Sequence, residues 1–273
     1  MKFILILLIL FIAYAIIENR FLLTIRTENF NNEINRLKIV HLSDLHKRSF
    51  GSNNQRLIDK VIAQNPDIII FSGDLVTRDC TDFSNTDKFI RKLVNIAPVY
   101  YASGNHELDI MNSPARYSEF FSVLSKNGVH ILDGKSEAIT HNDRKIMISG
   151  TALKYSVYKK DGKYTNLDEY STDELIAELG SPDKDFLNLL IAHNPFFAES
   201  YAEWGADYTF CGHVHGGAVM IPFVKIAILS PERKFLPKYA KGVFQIGKMK
   251  LLVSGGLGKL RLFNPPEIIV YYI

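Results

Sequence analysis

Aspartate, asparagine and histidine recur where apolar segments of this sequence end abruptly. Five β-rich apolar runs stop at short polar motifs, which together supply seven candidate metal ligands: Asp44, His46, Asp74, Asn105, His193, His213 and His215. Carboxylate, amide and imidazole groups without thiolates suit Mn, Fe or Zn rather than a structural cysteine–zinc site. Seven ligands are too many for one tetrahedral ion. The residue types therefore predict two divalent metal ions that share a bridging carboxylate, an arrangement suited to phosphoryl displacement.

The elements that must position these residues are predicted as repeated strand–helix units. The runs before Asp44, Asp74 and Asn105 are apolar, and stretches with helical spacing at 55–64 and 86–95 separate them. Steps of 30 and 31 residues between the three positions match the roughly 30 residues of one βαβ unit. Three parallel strands would therefore deliver their polar residues to one carboxyl edge, where open α/β sheets bind ligands.

The same pattern returns in the second half of the chain. The run at 189–192 ends at His193, and the run at 208–211 ends just before His213 and His215. Alternate residues of an extended segment project to one face. We therefore expect Asp44 with His46, and His213 with His215, each to converge on a shared point.

Structural roles are the main alternative for each of these residues taken singly. A lone strand-end aspartate is more often a turn residue or helix cap than a ligand, and Asp44 and Asp74 could each cap a following helix. Asn105 alone would be a turn residue. The five motifs in one order favour metal binding instead. Glu107 is expected to support a ligand or cap a helix rather than bind metal.

In this order the motifs resemble those of the calcineurin-like metallophosphoesterase superfamily. The matching motifs are D-x-H at 44–46, GD at 73–74, GNH[DE] at 104–107, the lone His193 and GHxH at 212–215. The resemblance extends from about residue 37 to the C-terminus. The apolar N-terminus and the segments at 236–242 and 253–258 are similar, within that superfamily, to the membrane-associated YkuE/YaeI-type phosphodiesterases.

This resemblance implies two groups of metal ligands with Asp74 as the bridge. One group is Asp44, His46 and His215, and the other is Asn105, His193 and His213. The resemblance also implies in-line attack on phosphorus by a hydroxide between the ions, with the catalytic residues Asp74 and His106, the latter a general acid or charge stabiliser. Arg78 matches a phosphate-contacting position. Many relatives have an acid where this chain has Thr77, so what orients His106 stays open.

The N-terminus contains fifteen uninterrupted apolar residues at 3–17. As a helix this run would be about 22 Å long, short of a hydrocarbon core of roughly 30 Å unless Arg20 snorkels and 21–23 extend the span. An uncleaved membrane anchor over 1–25 is the favoured interpretation, and a signal peptide or a buried core helix are the alternatives. Residues 26–36 are predicted as a linker and 37–273 as the phosphoesterase domain. Basic residues flank the run on both sides, so the side of the membrane is not predicted.

Composition places the chain among globular proteins. Its 273 residues include 32 Lys and Arg and 29 Asp and Glu, for a net charge of +3, which is too mild to indicate nucleic-acid binding. Two cysteines exclude a disulfide framework. Hairpin turns are predicted at 142–143 and 247–248, and a polar lid at 151–181 with a helix at 173–179. The predicted fold is α/β: a four-layer sandwich of two mixed β-sheets flanked by helices, with an N-terminal membrane helix.

These features together predict a membrane-anchored phosphoesterase that uses two divalent metal ions to hydrolyse phosphodiester or pyrophosphate bonds. The resemblance makes a lipid-linked, cell-envelope substrate such as a UDP-diacylglucosamine the preferred class, with membrane lipid as a partner and no nucleic acid. Two alternatives stay open. One is a nuclease or cyclic-nucleotide phosphodiesterase, and the other is a non-enzymatic, membrane-anchored metal-binding scaffold.

Overall fold

A computed structural model describes residues 2–31, 33, 36–160, 162–217, 219–221, 226–228, 235–259 and 261–273. Seven α-helices lie within these residues: α1 (Lys2–Arg20), α2 (Gln55–Ile62), α3 (Ser84–Val94), α4 (Asn105–Ile110), α5 (Pro114–Lys126), α6 (Thr172–Leu179) and α7 (Ala198–Trp204). Short 3-10 turns occupy Ser52–Asn54, Tyr155–Val157 and Pro195–Phe197. The predicted helices at 55–64, 86–95 and 173–179 are thereby confirmed.

The described residues form two six-stranded sheets and one two-stranded sheet. The strands, in chain order, are β1 (Thr24–Asn29), β2 (Lys38–Leu42), β3 (Ile68–Ser72), β4 (Val99–Ala102), β5 (His130–Ile131), β6 (Lys135–His141), β7 (Arg144–Thr151), β8 (Leu187–Ala192), β9 (Tyr208–Cys211), β10 (Met220–Ile221), β11 (Ile226–Ala227), β12 (Gly242–Ile246), β13 (Met249–Val253) and β14 (Glu267–Tyr272). An α/β fold with two mixed sheets is therefore confirmed.

The first sheet has the order β1-β14-β2-β3-β4-β5. Strands β2 to β5 are parallel neighbours, and α2 and α3 connect β2 to β3 and β3 to β4. Strand β14 runs antiparallel to β2. The βαβ spacing read from the sequence is thus confirmed, and the carboxyl ends of β2, β3 and β4 share one edge.

The second sheet has the order β12-β13-β9-β8-β7-β6. Strands β7, β8, β9 and β13 are parallel, while β6 and β12 are antiparallel edge strands. Both predicted hairpins are present, and Asn142 and Asp143 have the positive φ angles, 46° and 64°, that two-residue hairpin turns need. The carboxyl ends of β8 and β9 carry the second set of predicted ligands.

Three hydrophobic clusters hold these layers together. One lies between the two sheets and includes Ile39, Ile70, Tyr100, Leu189, Phe210 and Ile269. A second joins the outer face of the first sheet to helices, through residues such as Leu57, Phe89 and Phe120. A third joins the second sheet to α6 and α7 through Leu175, Tyr201 and Trp204. Each fully buried apolar side chain contributes about 1.5–3 kcal/mol, so both sheets are firmly fixed relative to each other.

The interval predicted as a linker differs from the expectation. Residues 24–29 form the edge strand β1, which pairs in parallel with β14 along its whole length. Its side chains alternate between half-buried and exposed. An edge strand exposes one face to solvent and is held by backbone hydrogen bonds, so the polar sequence TIRTEN can form a strand without an apolar pattern.

The apolar N-terminal segment forms α1, and Glu18 in its last turn is completely buried against the folded domain. Within the part of the chain that the structure describes, no helix combines the length and the apolar character needed to cross a membrane. The predicted membrane-spanning helix is therefore not supported.

Candidate metal centre

All seven predicted ligands lie where the carboxyl edges of the two sheets meet. Asp44, Asp74 and Asn105 follow strands of the first sheet, and His193, His213 and His215 follow strands of the second. His46 is two residues beyond Asp44. The strand ends are therefore what bring residues from distant parts of the chain to one place.

Four of the ligands form a compact group. Asp44, His46, Asp74 and His215 each offer a donor atom, and these atoms lie within 4.8 Å of one another. His215 Nε2 is 3.2 Å from Asp44 Oδ1, and His46 Nε2 is 3.7 Å from Asp74 Oδ2. Two carboxylates and two imidazoles are a suitable donor set for a divalent transition metal. This group corresponds to the first predicted ion together with the bridging aspartate.

The remaining three ligands lie on the other side of Asp74. His193 Nε2 is 3.4 Å from Asp74 Oδ2 and 3.8 Å from Asp44 Oδ1. His213 Nδ1 is 2.9 Å from Asn105 Oδ1, and the His213 ring centre is 5.1 Å from that of His193. Asp74 is thus within reach of both groups, as a bridging ligand has to be.

His193 shows that the arrangement fits a metal ion. Its Nδ1 donates a hydrogen bond to the carbonyl oxygen of Ser72 at 2.7 Å, which fixes the ring. Its Nε2 is buried and has no hydrogen-bond partner among the described residues. A metal-ligating histidine usually donates the N–H of its other ring nitrogen to a carbonyl or carboxylate oxygen, as His193 does here. The donor set and this unpartnered nitrogen fit a pair of divalent ions.

The protein charges also favour cation binding. Burial raises the pKa of Asp44 and of Asp74, but the surrounding histidines outweigh burial and hold each pKa below its usual range. Burial lowers the pKa of His193, but Asp74 and Asp44 outweigh it and raise that pKa to about 10. A metal ion at this position would replace the proton of His193, so metal uptake would release protons.

Backbone strain is concentrated at the ligands. Asp44, His46, Asp74, His213 and His215 all have φ angles between 52° and 68°, in the left-handed region. Such conformations cost about 1–3 kcal/mol each and are typical of functional sites. The expectation that Asp44 with His46, and His213 with His215, converge because each pair lies on an extended segment is therefore wrong. Tight turns after the strands bring them together instead.

Glu107 supports the ligand turns, as expected from its place in the motif. It is fully buried, and its carboxylate accepts hydrogen bonds from the backbone N–H groups of Asp74, Gly104 and Val76 at 2.9, 2.9 and 3.1 Å. Burial raises its pKa to about 8. One side chain therefore fixes both the turn that carries Asp74 and the start of α4.

Replacing Glu107 with glutamine is expected to loosen both turns. The new amide group would face N–H donors, and an unsatisfied buried donor costs about 1–3 kcal/mol. Loss of a residue that orients ligands typically weakens metal binding by about 10–100-fold. Urea unfolding of the metal-free protein and calorimetric titration with Mn²⁺ measure the two effects. Glu119→Gln, on the exposed face of α5, is the control, and equal Mn²⁺ affinity in both variants would contradict the role.

His106 is oriented by Arg78 rather than by a side chain at position 77. The backbone N–H of Arg78 donates to His106 Nδ1 at 3.2 Å, and an Arg78 guanidinium nitrogen lies 3.1 Å from Nε2. A neutral imidazole has one acceptor, so only one of these contacts is a hydrogen bond. Burial lowers the pKa of His106. With Nδ1 as acceptor, the ring proton is on Nε2, 4.0 Å from Asp74 Oδ2.

A cleft opens beside the ligands, and besides the already predicted Arg78 it contains residues that the motifs did not reveal. Besides Asp74, Asn105, His106, His213 and His215, it is lined by Arg78, Asp109, Tyr155, Tyr158, Lys159 and Tyr164. Arg78 Nε is 3.3 Å from Asp109 Oδ2. The tyrosines and Lys159 come from the segment predicted as a lid. Their only sequence signal is the density of tyrosine and lysine at 155–164.

The fold and the site define a metal-dependent hydrolase of phosphoric esters. Residues 37–217 match the calcineurin-like phosphoesterase family. The chain therefore belongs to this family.

Individual relatives agree with this assignment. Phosphodiesterase YaeI of Escherichia coli is 27% identical over 85% of this chain and 80% of its own. UDP-2,3-diacylglucosamine pyrophosphatase LpxG of Chlamydia muridarum is 24% identical over 86% of this chain and 82% of its own. The Caenorhabditis elegans protein F40B5.2 is 28% identical over 76% of this chain, and the match spans only 42% of its own length. The crystal structure of phosphopantetheinyl hydrolase PptH from Mycobacterium tuberculosis shares the fold, with a TM-score of 0.51 and 16% identity over 82% of this chain and 91% of that chain.

Proposed function

We propose that this protein hydrolyses a phosphodiester or pyrophosphate bond in a lipid-linked substrate of the cell envelope. The observation that carries the proposal is the convergence of seven ligand side chains beside a cleft with two cationic side chains. A cluster of carboxylates and imidazoles binds divalent ions, and Arg78 and Lys159 in the cleft are suited to phosphate oxygens.

The catalytic roles follow from where each side chain lies. Two divalent ions, when bound, polarise the phosphoryl group and lower the pKa of a water molecule that serves as the nucleophile. Arg78 and Lys159 would hold the non-reacting phosphate oxygens. His106 would donate from Nε2 to the leaving oxygen, either a hydrogen bond from the neutral ring that stabilises the developing charge or a proton from the imidazolium form. The backbone N–H of His106 donates to Asp74 Oδ1 at 2.9 Å, which couples the acid to the bridging ligand.

Support for a lipid-linked substrate comes from the likeness to LpxG, whose name states a UDP-2,3-diacylglucosamine pyrophosphatase. Exposed apolar side chains of the present chain give a second reason. Phe235 and Leu236 are 70% and 49% exposed, and the side chains that the structure describes on α1 are largely exposed and apolar. Acyl chains of a substrate need an apolar surface of this kind.

A panel of related substrates tests the proposal. The protein with Mn²⁺ would be assayed on bis(p-nitrophenyl) phosphate, UDP-2,3-diacylglucosamine and UDP-N-acetylglucosamine, which lacks the acyl chains. Each buried methylene contributes about 0.8 kcal/mol, so contact with a few of them should raise kcat/KM for the acylated compound by at least about tenfold. Faster hydrolysis of cyclic nucleotides or single-stranded DNA would support the alternative of a nuclease or cyclic-nucleotide phosphodiesterase. No hydrolysis of any compound would support a scaffold.

We also propose that α1 associates the protein with a lipid bilayer. Its exposed large apolar side chains are Phe3, Ile4, Ile6, Ile9, Leu10, Phe11, Ile12, Tyr14, Ile16 and Ile17. A contiguous apolar surface of this size needs a nonpolar partner.

Flotation with phosphatidylcholine and phosphatidylglycerol vesicles is expected to carry the protein to the top of a density gradient. Replacing Ile9, Ile12 and Ile16 with glutamine should leave most of the protein at the bottom. The matched control replaces three exposed isoleucines elsewhere, Ile62, Ile176 and Ile221. Failure of the unmodified chain to float, or equal flotation of both triple variants, would rule out the association.

A further inference from the structure

The last turn of α1 is tied to a loop at the other end of the chain. Glu18 is fully buried, and one carboxylate oxygen accepts the backbone N–H of Phe263 at 2.7 Å. The other oxygen accepts the N–H of Asn264. Carboxylates are rarely buried without such donors, because an unpaired charge in the interior is costly. Glu18 is therefore held at a site built for a carboxylate.

Asn19 makes a second connection to the same loop. Its Oδ1 accepts the backbone N–H of Arg261 at 2.9 Å, and its Nδ2 donates to the Arg261 carbonyl at 2.6 Å. Phe263 lies in this loop between Arg261 and Asn264, has a φ of 57°, and stacks on Tyr14 with 5.3 Å between the ring centres. A left-handed conformation is strained for an aromatic residue and persists only where its surroundings enforce it. The hydrogen bonds that link Glu18 and Asn19 to the loop hold Phe263 in this conformation.

This loop in turn holds the backbone of a predicted metal ligand. Asn264 Nδ2 donates to the His215 carbonyl at 2.6 Å and to the Gly217 carbonyl at 3.1 Å. Arg261 Nη1 donates to the same His215 carbonyl at 3.1 Å. His215 itself has a φ of 56°. Two buried side chains therefore converge on one carbonyl and keep a strained ligand in place.

The preceding residues of the loop pack directly on Asp44. A Cβ atom added to Gly256 would lie 2.7 Å from Asp44 Oδ2, so the backbone is in close contact with that carboxylate. The N–H of Leu257 donates to the Ser43 carbonyl at 2.9 Å. The same loop thus contacts both members of the pair in which His215 Nε2 lies 3.2 Å from Asp44 Oδ1.

We infer that Glu18 and Asn19 are positioning residues for the metal centre. They fix the loop at 261–264, which fixes the His215 backbone and hence the distance between the His215 and Asp44 donor atoms. The last turn of α1 therefore supports the metal centre in addition to packing on the domain. The inference rests on the metal dependence of the proposed function and is independent of the substrate.

Glu18→Gln tests the inference, because glutamine keeps the shape but places an amide against two N–H donors. Calorimetric titration of the full chain with MnCl₂, well below the unfolding temperature, is expected to show about 10–100-fold weaker binding. Arg20→Gln, in the same turn but exposed, should bind Mn²⁺ as the unmodified protein does. A role confined to stability would lower the melting temperature of the metal-free protein and leave Mn²⁺ affinity unchanged, and that result would overturn the inference.

A double-mutant comparison asks whether the effect passes through His215. In a His215→Ala background, Glu18→Gln should weaken binding of the remaining ion by less than about twofold, because sites that act through one shared residue are not additive. In a His193→Ala background, the full weakening should persist. Equal weakening in both backgrounds would overturn the inference.

If Glu18→Gln does not fold, Asn19→Asp decides by the same titration, since it keeps the acceptor for the Arg261 N–H and replaces the amide donor to the Arg261 and Ala15 carbonyls with an oxygen. Unchanged Mn²⁺ affinity in folded Asn19→Asp would then overturn the inference. Absence of Mn²⁺ binding by the unmodified chain would overturn both the proposed function and this inference. That result is distinct from a failure of positioning, in which the unmodified chain and the variants all bind equally.

Discussion

Asp74→Asn is expected to abolish hydrolysis and to empty the metal centre. Asp74 Oδ2 lies 3.4 Å from His193 Nε2 and 3.7 Å from His46 Nε2, so it is within reach of both ligand groups and is closer to His193 than Asp44 is, at 3.8 Å. Removal of residues that only orient ligands weakens metal binding by about 10–100-fold, so loss of a shared ligand should exceed about 10²-fold. Elemental analysis of the purified variant and its activity on bis(p-nitrophenyl) phosphate with Mn²⁺ measure the two losses.

Asp79→Asn provides the matched control. Asp79 has a 60% exposed side chain and pairs with Lys47 at the surface. Asp79→Asn therefore changes the net charge by the same amount as Asp74→Asn but removes no predicted ligand. Surface ion pairs contribute about 0–1 kcal/mol, and both metal content and activity should stay at the level of the unmodified protein. Two bound ions and full activity in Asp74→Asn would show that this carboxylate does not bridge them.

The convergence of the seven predicted ligands could be expected from the sequence because a local pattern marks each of them. An apolar strand that stops at a polar residue is visible within a few positions, and the spacing between Asp44, Asp74 and Asn105 matches a βαβ unit. The parallel pairing of β2, β3 and β4 then makes their convergence a consequence of topology. Glu107 was predictable for the same reason, since it follows Asn105 by two residues.

The sequence pattern does not predict the backbone conformation of the ligand turns or the contacts between distant parts of the chain. The left-handed turns at Asp44 and His46 depend on tertiary contacts, because neither residue type requires a positive φ. Glu18 ends an apolar run, which indicates the end of a helix but not a partner 246 residues away at Asn264. β1 escaped prediction because an edge strand with alternating exposure carries no apolar signal.

His106→Ala is expected to lower kcat on an alkyl phosphate ester by about 10²–10⁴-fold, the usual contribution of a general acid, while both metal ions remain bound. The reason is positional: His106 Nε2 is 4.0 Å from Asp74 Oδ2, at the rim of the centre, and its ring lines the cleft rather than the ligand cluster. Mn²⁺ titration and steady-state kinetics on the same preparation separate binding from turnover.

The leaving group distinguishes proton donation from a structural role. p-Nitrophenolate is stable without a proton, whereas an alkoxide is not, so loss of a general acid should slow an alkyl ester far more than a p-nitrophenyl ester. His106→Asn, which keeps a hydrogen-bond donor of similar reach, should restore part of the rate on the p-nitrophenyl ester and little on the alkyl ester. If His106→Ala slowed both esters by the same factor, the ring would be acting on the position of the substrate, and the proton for the leaving oxygen would have to come from another group in the cleft.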